Sequence, residues 1–265
     1  MINRRPTQAA GFTLIELLVE IAIIAILAGM LLPALAKAKE KGRSTFCLSS
    51  YRQLQICWQM YYEDNADNLP PNESDPGSSR ETWNATVRTW IRGNAYTDTN
   101  TFNIENGCLY PYNRSAKIYK CPSDKSTVRD LGKLPRVRSV SMNMYMNYIP
   151  DLADRSCWHK SSEIRTPQPG QAIVFIDEHE NSIENSRFYI NQPGVMTWVD
   201  FVGVRHNNGA TFSFADGHAE LWRWREPNTA RIGKLPPWIQ GQPAVPTGDK
   251  DLGRLQKGIP VVPVR

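Results

Sequence analysis

Histidine and carboxylate side chains recur in two segments of the second half of the chain. Asp177 and His179 lie close together in one segment, and His206, Asp216 and His218 lie in the other. Imidazole nitrogens and carboxylate oxygens are ligand types for zinc and other divalent ions, and the ends of neighbouring strands can bring them together. These residue types therefore permit a metal site built from two distant parts of the chain.

The same residues also have structural explanations, which we favour over a metal site. Asp216-Gly217 is a typical tight-turn pair, because such a turn needs residues that tolerate positive φ. His206 can bond the loop that leads into this turn. We keep a divalent metal as the alternative and expect no other cofactor. The sequence contains no Gly-x-Ser-x-Gly, no phosphate-binding glycine loop and no His-Glu-x-x-His, so we expect that the protein is not an enzyme.

Glu16 is a second chemically informative residue, because it begins a strongly apolar segment. Residues 17–32 are apolar except for Glu20, and the segment is long enough to cross a bilayer. An acidic side chain at the centre of a membrane helix costs roughly 2.5–3.5 kcal/mol. We therefore expect the Glu16 carboxylate to have a protein partner that neutralises it.

The five cysteines are compatible with disulfide bonds if the head of the protein lies outside the cytoplasm. Their spacing fits no zinc finger or ribbon. A bridge between Cys47 and Cys121 is our first prediction, since it would join the long helix to the loop at residues 120–124. Cys108 with Cys121 is the alternative, and the odd number leaves at least one cysteine outside such pairs.

A long N-terminal helix is predicted to carry the apolar segment. Residues 12–35 are expected to span a membrane, and residues 36–64 are expected to be amphipathic. One face of this second part should be buried (Cys47, Tyr51, Leu54, Trp58 and Tyr61), and the opposite face should meet water (Arg52, Gln53, Gln55 and Gln59).

The remainder of the chain is predicted to form an α+β head at residues 65–225. Residues 171–177 read as a buried strand, and residues 211–224 read as a β-hairpin around Asp216-Gly217. An antiparallel sheet packed on the amphipathic half of the helix follows. Residues 226–265 are rich in proline and glycine, which indicates an extended tail with little core of its own.

The N-terminal residues resemble type IV prepilins and type II secretion pseudopilins. The resemblance rests on a basic leader at residues 1–11, the Gly11-Phe12-Thr-Leu-Ile-Glu16 motif, the apolar helix and Pro33. It implies that a prepilin peptidase cleaves between Gly11 and Phe12 and methylates the new amino group of Phe12. It also implies a pilin-like fold and pairing of Glu16 with the Phe12 ammonium of a neighbouring subunit.

A second resemblance involves the C-terminal half. His206, nine residues and then Asp216-Gly217 look like the signature of a group of prepilin-type proteins common in planctomycetes and verrucomicrobia. Residues 120–124 (Lys-Cys-Pro-Ser-Asp) and 175–179 (Phe-Ile-Asp-Glu-His) also resemble recurrent segments of that group. No biochemical activity is attached to the group, so the resemblance indicates a family and no mechanism.

We therefore expect a subunit of a type IV pilus or a type II secretion pseudopilus, in a bacterial inner membrane, with a cytoplasmic N-terminus and an extracytoplasmic head. The net charge of +5 is a mild excess that is spread along the chain, and the sequence has no basic stripe with interleaved aromatic residues. Both observations argue against nucleic acid as a partner. A secretory signal ending near Ala34-Leu35-Ala36 and an uncleaved anchor are alternatives. A membrane-tethered module or enzyme that binds polysaccharide through some of the eight tryptophans is the rival function.

Overall fold

A computed structural model describes residues 13–72, 89–148, 157–232 and 245–261. The predicted leader and the Gly11-Phe12 cleavage site lie outside the described residues. The chain divides into two compact units, Met1–Gly42 and Arg43–Arg265. Helix α1 (Leu14–Asp64) begins in the first unit, and its residues from Arg43 onward belong to the second.

The first part of α1 is an apolar helix with no buried face. Its large apolar side chains are 51 to 74 % exposed, and they occur at successive positions around the helix: Leu14, Ile15, Leu17, Leu18, Val19, Ile21, Ile23, Ile24, Ile26, Leu27, Met30, Leu31, Leu32 and Leu35. Pro33 lies inside the helix without ending it. Within the described residues, α1 is the one helix that is long and apolar enough to cross a membrane. Its first part therefore needs lipid or other apolar helices around it.

The amphipathic part of α1 buries the predicted stripe. Cys47, Tyr51, Leu54, Trp58 and Tyr61 are all buried, as their spacing of three and four residues indicates.

The prediction for the opposite face of α1 is wrong at Gln55. This side chain is fully buried, and its Oε1 accepts a hydrogen bond of 2.9 Å from the Ser213 hydroxyl. The hydrogen bond from Ser213 satisfies the Gln55 oxygen, whereas the Gln55 Nε2 is buried without a hydrogen-bond partner among the described residues, so this position carries a desolvation cost.

A five-stranded sheet forms the centre of the second unit. Its strands are β1 (Val140–Asn143), β2 (Ile173–Asp177), β3 (Arg187–Phe188), β4 (Gly209–Phe214) and β5 (Ala219–Arg223), in the order β3-β1-β2-β4-β5. Neighbours are antiparallel except β1 and β3, which are parallel. The predicted strand at residues 171–177 and the predicted hairpin are confirmed as β2 and β4–β5, and the α+β fold class is confirmed with them.

The short helical elements lie between α1 and β1, in two of the connections between strands, and after β5. They are α2 (Phe102–Glu105), α3 (Tyr110–Asn113), two 3-10 turns (Ala116–Tyr119 and Ser161–Glu163), α4 (Arg205–Asn208), α5 (Pro227–Ile232) and α6 (Lys250–Gln256). Helix α4 is a single turn that leads directly into β4. The side chains of α4 are therefore held next to the start of β4.

The C-terminal segment differs from the extended tail that its composition predicted. Asp249 caps α6 by accepting hydrogen bonds from the amides of Asp251 and Leu252. Apolar side chains from this segment join the main core, namely Val245, Leu252, Leu255 and Ile259. Four apolar side chains spaced over fifteen residues are enough to fix the segment on the core, although proline and glycine dominate its composition.

The two edges of the sheet are short or charged. Strand β3 contains only two residues, and β5 carries the exposed side chains of Glu220 and Arg223. Such edges are poor templates for pairing with a strand from another chain.

Candidate functional site

The start of α1 is organised around Glu16. Thr13 precedes the helix, and its amide and hydroxyl both donate hydrogen bonds to Oε2 of Glu16, at 2.9 and 2.7 Å. The Glu16 amide in turn donates to the Thr13 hydroxyl at 3.2 Å. This reciprocal arrangement is a capping box, which satisfies backbone amides that a helix start leaves without partners.

The capping box gives Glu16 a local structural role that the sequence analysis did not predict. A carboxylate in the first turn also interacts favourably with the positive end of the helix dipole. Among the described residues, both hydrogen bonds that Glu16 accepts end on Oε2. The acid therefore lies fixed at the start of the apolar helix, four positions beyond Phe12 in the sequence.

A buried ion cluster occupies the second unit beside β2, with Arg205 at its centre. The guanidinium lies 2.6 Å from Asp177 Oδ1, 2.7 Å from Glu180 Oε2 and 3.6 Å from Asp124 Oδ1. It also donates to the Glu178 carbonyl oxygen at 2.9 Å. The cluster joins the loop at residues 120–124, the end of β2 and α4. These elements contain parts of the three segments that resemble the planctomycete and verrucomicrobial group, namely residues 120–124, residues 175–179 and the signature that begins at His206.

Burial and charge act in opposite directions on this cluster. Burial lowers the pKa of Arg205, but the carboxylates of Asp177, Asp124 and Glu180 outweigh it, and the pKa lies above its ordinary value. Burial raises the pKa of Asp177, and the Arg205 charge opposes that rise. We take the pair as ionised, because the two groups are 2.6 Å apart and the carboxylates stabilise the guanidinium.

His206 is presented to the core by a turn of left-handed backbone. His206, Asn207 and Asn208 have φ values of 55°, 61° and 63°. Asparagine tolerates this conformation better than most residues, whereas three successive residues in it are unusual for L-amino acids. The turn reverses the chain between Arg205 and Gly209, so that His206 points inward and is 3 % exposed.

Two thiols lie against the His206 imidazole. Its Nε2 is 3.2 Å from Cys121 Sγ and 3.2 Å from Cys47 Sγ. The three ligand atoms lie within 4.8 Å of one another, and all three residues are buried. Cys47 comes from α1, Cys121 from the loop after the first 3-10 turn, and His206 from α4.

The charges around the thiols distinguish the two cysteines. A hydrogen bond from Cys47, with contributions from His206 and Arg205, lowers the pKa of Cys121 to about 5 although burial opposes it. The pKa of Cys47 is raised, because its thiol donates to Cys121 and is desolvated. Cys121 is therefore the thiolate of the pair, and Cys47 keeps its proton at neutral pH.

All five cysteines lie within the described residues and stand as thiols. The structure places the predicted partners Cys47 and Cys121 side by side, while a disulfide between them stays a prediction.

The predicted metal-ligand set is divided among three places in the structure. Asp216 and His218 are paired with each other at 2.5 Å on the half-exposed turn of the hairpin, where Gly217 has a φ of 104°. Asp177 binds Arg205. Among the described residues, the one group of three potential ligands combines His206 with two cysteines, so the structure does not bring the predicted five residues together.

His179 lies at the border of the ion cluster as a neutral base. Its Nδ1 accepts a hydrogen bond from the Asn181 amide at 3.1 Å, and its Nε2 is 3.8 Å from Glu180. Burial lowers the pKa of His179 to about 4. A histidine that is neutral and bonded in this way has a structural role.

The tryptophans offer little support for a sugar-binding surface. Six of the eight lie in the described residues, and all six are buried: Trp58, Trp90, Trp158, Trp198, Trp222 and Trp224. Stacking on a sugar ring needs an exposed indole face, so these six serve the core.

Sequence reasoning did not single out Arg205 as a functional residue, nor Asp124 by itself. Arg205 precedes His206, and Asp124 ends the Lys-Cys-Pro-Ser-Asp segment. Their neighbours were noted as recurrent, but nothing in their spacing indicates that the two segments meet.

Comparison with known proteins supports a prepilin-like N-terminus. Residues 7–32 match the family profile described as the prokaryotic N-terminal methylation motif. The chain is also 46 % identical over 58 residues to the type IV wide pilus major component PilA4 of Thermus thermophilus. This match covers 22 % of the chain and 44 % of that relative, so the chain spans less than half of its length. No solved structure matches the chain. The N-terminal part is thus type IV prepilin-like. The long helix and the five-stranded sheet of the chain together form an α+β, pilin-like arrangement.

Proposed function

We propose that the protein is a structural subunit of a type IV pilus or of a related secretion pseudopilus. The observation that carries the proposal is an apolar helix whose side chains are exposed on every side and most of which lies within the match to the prepilin methylation motif at residues 7–32. Such a surface is stable in lipid, and it is equally stable when several copies pack their helices together. A single helix can in this way serve as a membrane anchor and as the core of a filament.

Processing by a prepilin peptidase precedes assembly in this proposal. The enzyme cleaves between Gly11 and Phe12 on the cytoplasmic face of the inner membrane and methylates the Phe12 amino group. The head then lies on the opposite, extracytoplasmic side. Glycine at the cleavage point suits a peptidase that approaches the backbone closely, because it has no Cβ.

The Glu16 carboxylate is proposed to pair with the Phe12 ammonium of a neighbouring copy. Pairing neutralises two charges that lipid would otherwise penalise, and it fixes the axial offset between neighbouring helices. The capping box holds the carboxylate at the helix start, close in sequence to the cleavage point.

Two substitutions separate the charge of Glu16 from its capping role. Glu16→Gln removes the charge and keeps a side chain that can complete a capping box. Thr13→Val removes the hydroxyl that bonds Oε2 and keeps the carboxylate. We expect Glu16→Gln to reduce filament yield about tenfold or more and Thr13→Val to leave most of it, with both variants inserted in the membrane.

Filaments sheared from cells and membrane-bound subunits are quantified by immunoblot for each variant. Normal filament yield from Glu16→Gln would contradict the pairing. If Thr13→Val alone lost its filaments, the cap and not the charge would be the assembly determinant. Mass spectrometry of the mature chain checks processing independently, since it should begin at an N-methylated Phe12; a chain that keeps Met1 or begins near Lys37 would contradict cleavage by a prepilin peptidase.

A further inference from the structure

We propose that Cys47, Cys121 and His206 bind a zinc ion that fastens α1 to the sheet of the second unit. The three residues are 74 and 85 positions apart in sequence, as 47, 121 and 206, and their ligand atoms meet in one buried place. The site lies among residues that the proposed assembly function does not use.

The dimensions of the cluster fit a zinc ion after a small expansion. Zn–S bonds of about 2.3 Å and a Zn–N bond of about 2.0 Å, at tetrahedral angles, place sulfur and nitrogen about 3.5 Å apart and the two sulfurs about 3.8 Å apart. The two observed sulfur–nitrogen distances are both 3.2 Å, and all three atoms lie within 4.8 Å. Side-chain movements of a few tenths of an ångström would admit the ion.

Hydrogen bonding accounts poorly for this triangle of atoms. An imidazole nitrogen has one in-plane direction for donating or accepting, yet Nε2 of His206 faces two sulfurs at the same distance. Hydrogen bonds from Cys47 and His206 to the Cys121 sulfur can satisfy two edges of the triangle, but they do not account for the 3.2 Å edge between Cys47 Sγ and His206 Nε2. A cation between the three atoms contacts all of them at once.

The donor set selects a soft, divalent ion. Thiolate and imidazole ligands favour zinc over calcium or magnesium, which prefer oxygen. Two thiolates and a neutral imidazole carry a charge of −2, which Zn²⁺ cancels, so the buried site becomes neutral once both thiols have lost their protons. Structural zinc has four ligands, and a water molecule would supply the fourth at this site.

Zinc at this position would stabilise the second unit by joining three distant segments. The left-handed turn that presents His206 costs backbone energy, and a metal–nitrogen bond supplies a compensating interaction. Binding to the folded state alone raises the free energy of unfolding as zinc concentration rises above the dissociation constant.

The test uses the full-length protein in detergent, purified under reducing conditions and without a metal-affinity tag. Zinc and copper are measured by mass spectrometry in the wild type, in Cys47→Ser, in Cys121→Ser and in the control Cys57→Ser. Cys57 is a suitable control because it is also a buried thiol of α1 but lies outside the cluster. We expect about one zinc per chain in the wild type and the control, and loss of zinc in the two cluster variants.

Two measurements on the wild type keep the test valid if the cluster variants fail to fold. Zinc should protect Cys47 and Cys121 from alkylation, as read by peptide mass spectrometry, and should leave the reactivity of Cys57 unchanged. Cobalt substitution should give thiolate-to-metal charge-transfer absorption. Wild-type protein that takes up no zinc from a zinc buffer would overturn the proposal, as would copper in place of zinc, zinc retained by Cys47→Ser, or a Cys47–Cys121 disulfide in native protein. None of these outcomes depends on filament assembly, so failure here leaves the pilin-like function standing.

Discussion

Replacing Arg205 with methionine should strongly destabilise the second unit. Methionine keeps much of the side-chain volume but removes the guanidinium, which lies 2.6 Å from Asp177 and 2.7 Å from Glu180. The side chains of Arg205 and Asp177 are only 8 % and 1 % exposed, so the abandoned Asp177 carboxylate cannot be fully hydrated. Breaking one side of a buried ion pair costs about 3–5 kcal/mol.

This cost can be measured as a change in unfolding temperature. For a folded unit of this size, 1 kcal/mol corresponds to about 2–4 °C, so we expect Arg205→Met to unfold about 6–20 °C below the wild type. Unfolding of the full chain in detergent is followed by tryptophan fluorescence at pH 7. The loss should shrink at lower pH, because the abandoned carboxylate, whose pKa burial raises, is neutralised by taking up a proton.

Arg254→Met is the matched control for a surface ion pair. Arg254 lies 3.3 Å from Glu220, with both side chains more than 40 % exposed, and its guanidinium stacks on the Trp222 ring, so its loss should cost about 1–2 kcal/mol, below the cost at Arg205. If Arg205→Met is no more destabilised than Arg254→Met, or if its loss does not depend on pH, the ion cluster does not stabilise the fold in the way argued above.

Two further predictions concern the core and the acid limit of stability. Trp58 is fully buried, so Trp58→Ala should lower the free energy of unfolding by about 3–5 kcal/mol, as measured by chemical denaturation. Met60 lies on the exposed face of α1, so Met60→Ala should lower it by less than about 1 kcal/mol. Equal losses for the two variants would contradict the assigned burial. Burial lowers the pKa of His179 from 6.5 to about 4, so the unfolded chain binds a proton first and stability falls between these pH values. His179→Asn should reduce this acid-dependent loss by up to about 3 kcal/mol; identical profiles for His179→Asn and the wild type would show that His179 does not contribute.

The elements that sequence patterns predicted are those with local causes. The long helix follows from continuous apolar character and then from a stripe at helical spacing, and the β4–β5 hairpin follows from alternation around Asp216-Gly217. Each of these patterns is complete within a short stretch of sequence. The two resemblances added the prepilin-like class, which composition alone does not indicate.

The arrangement of the candidate metal site could not be predicted in the same way. His206 was singled out with carboxylates as its expected companions, but it lies against Cys47 and Cys121 because of a left-handed turn. The prediction that Gln55 faces water failed for a related reason, since its partner Ser213 is 158 residues away. Contacts between distant segments depend on how helix and sheet pack, and one sequence carries no direct signal of that packing.

The short edge strand β3 and the charged edge strand β5 would matter most if many copies were held close together in one filament. Neighbouring subunits in a filament would hold their second units at a high local concentration. A high concentration promotes aggregation by pairing of unprotected edge strands. Strand β3 has only two residues, and β5 carries the charged side chains of Glu220 and Arg223. Both features disfavour pairing of these edges with a strand from a neighbouring copy. If copies assemble through the first part of α1 as proposed, the sheet edges would not compete with the helices for contacts between subunits.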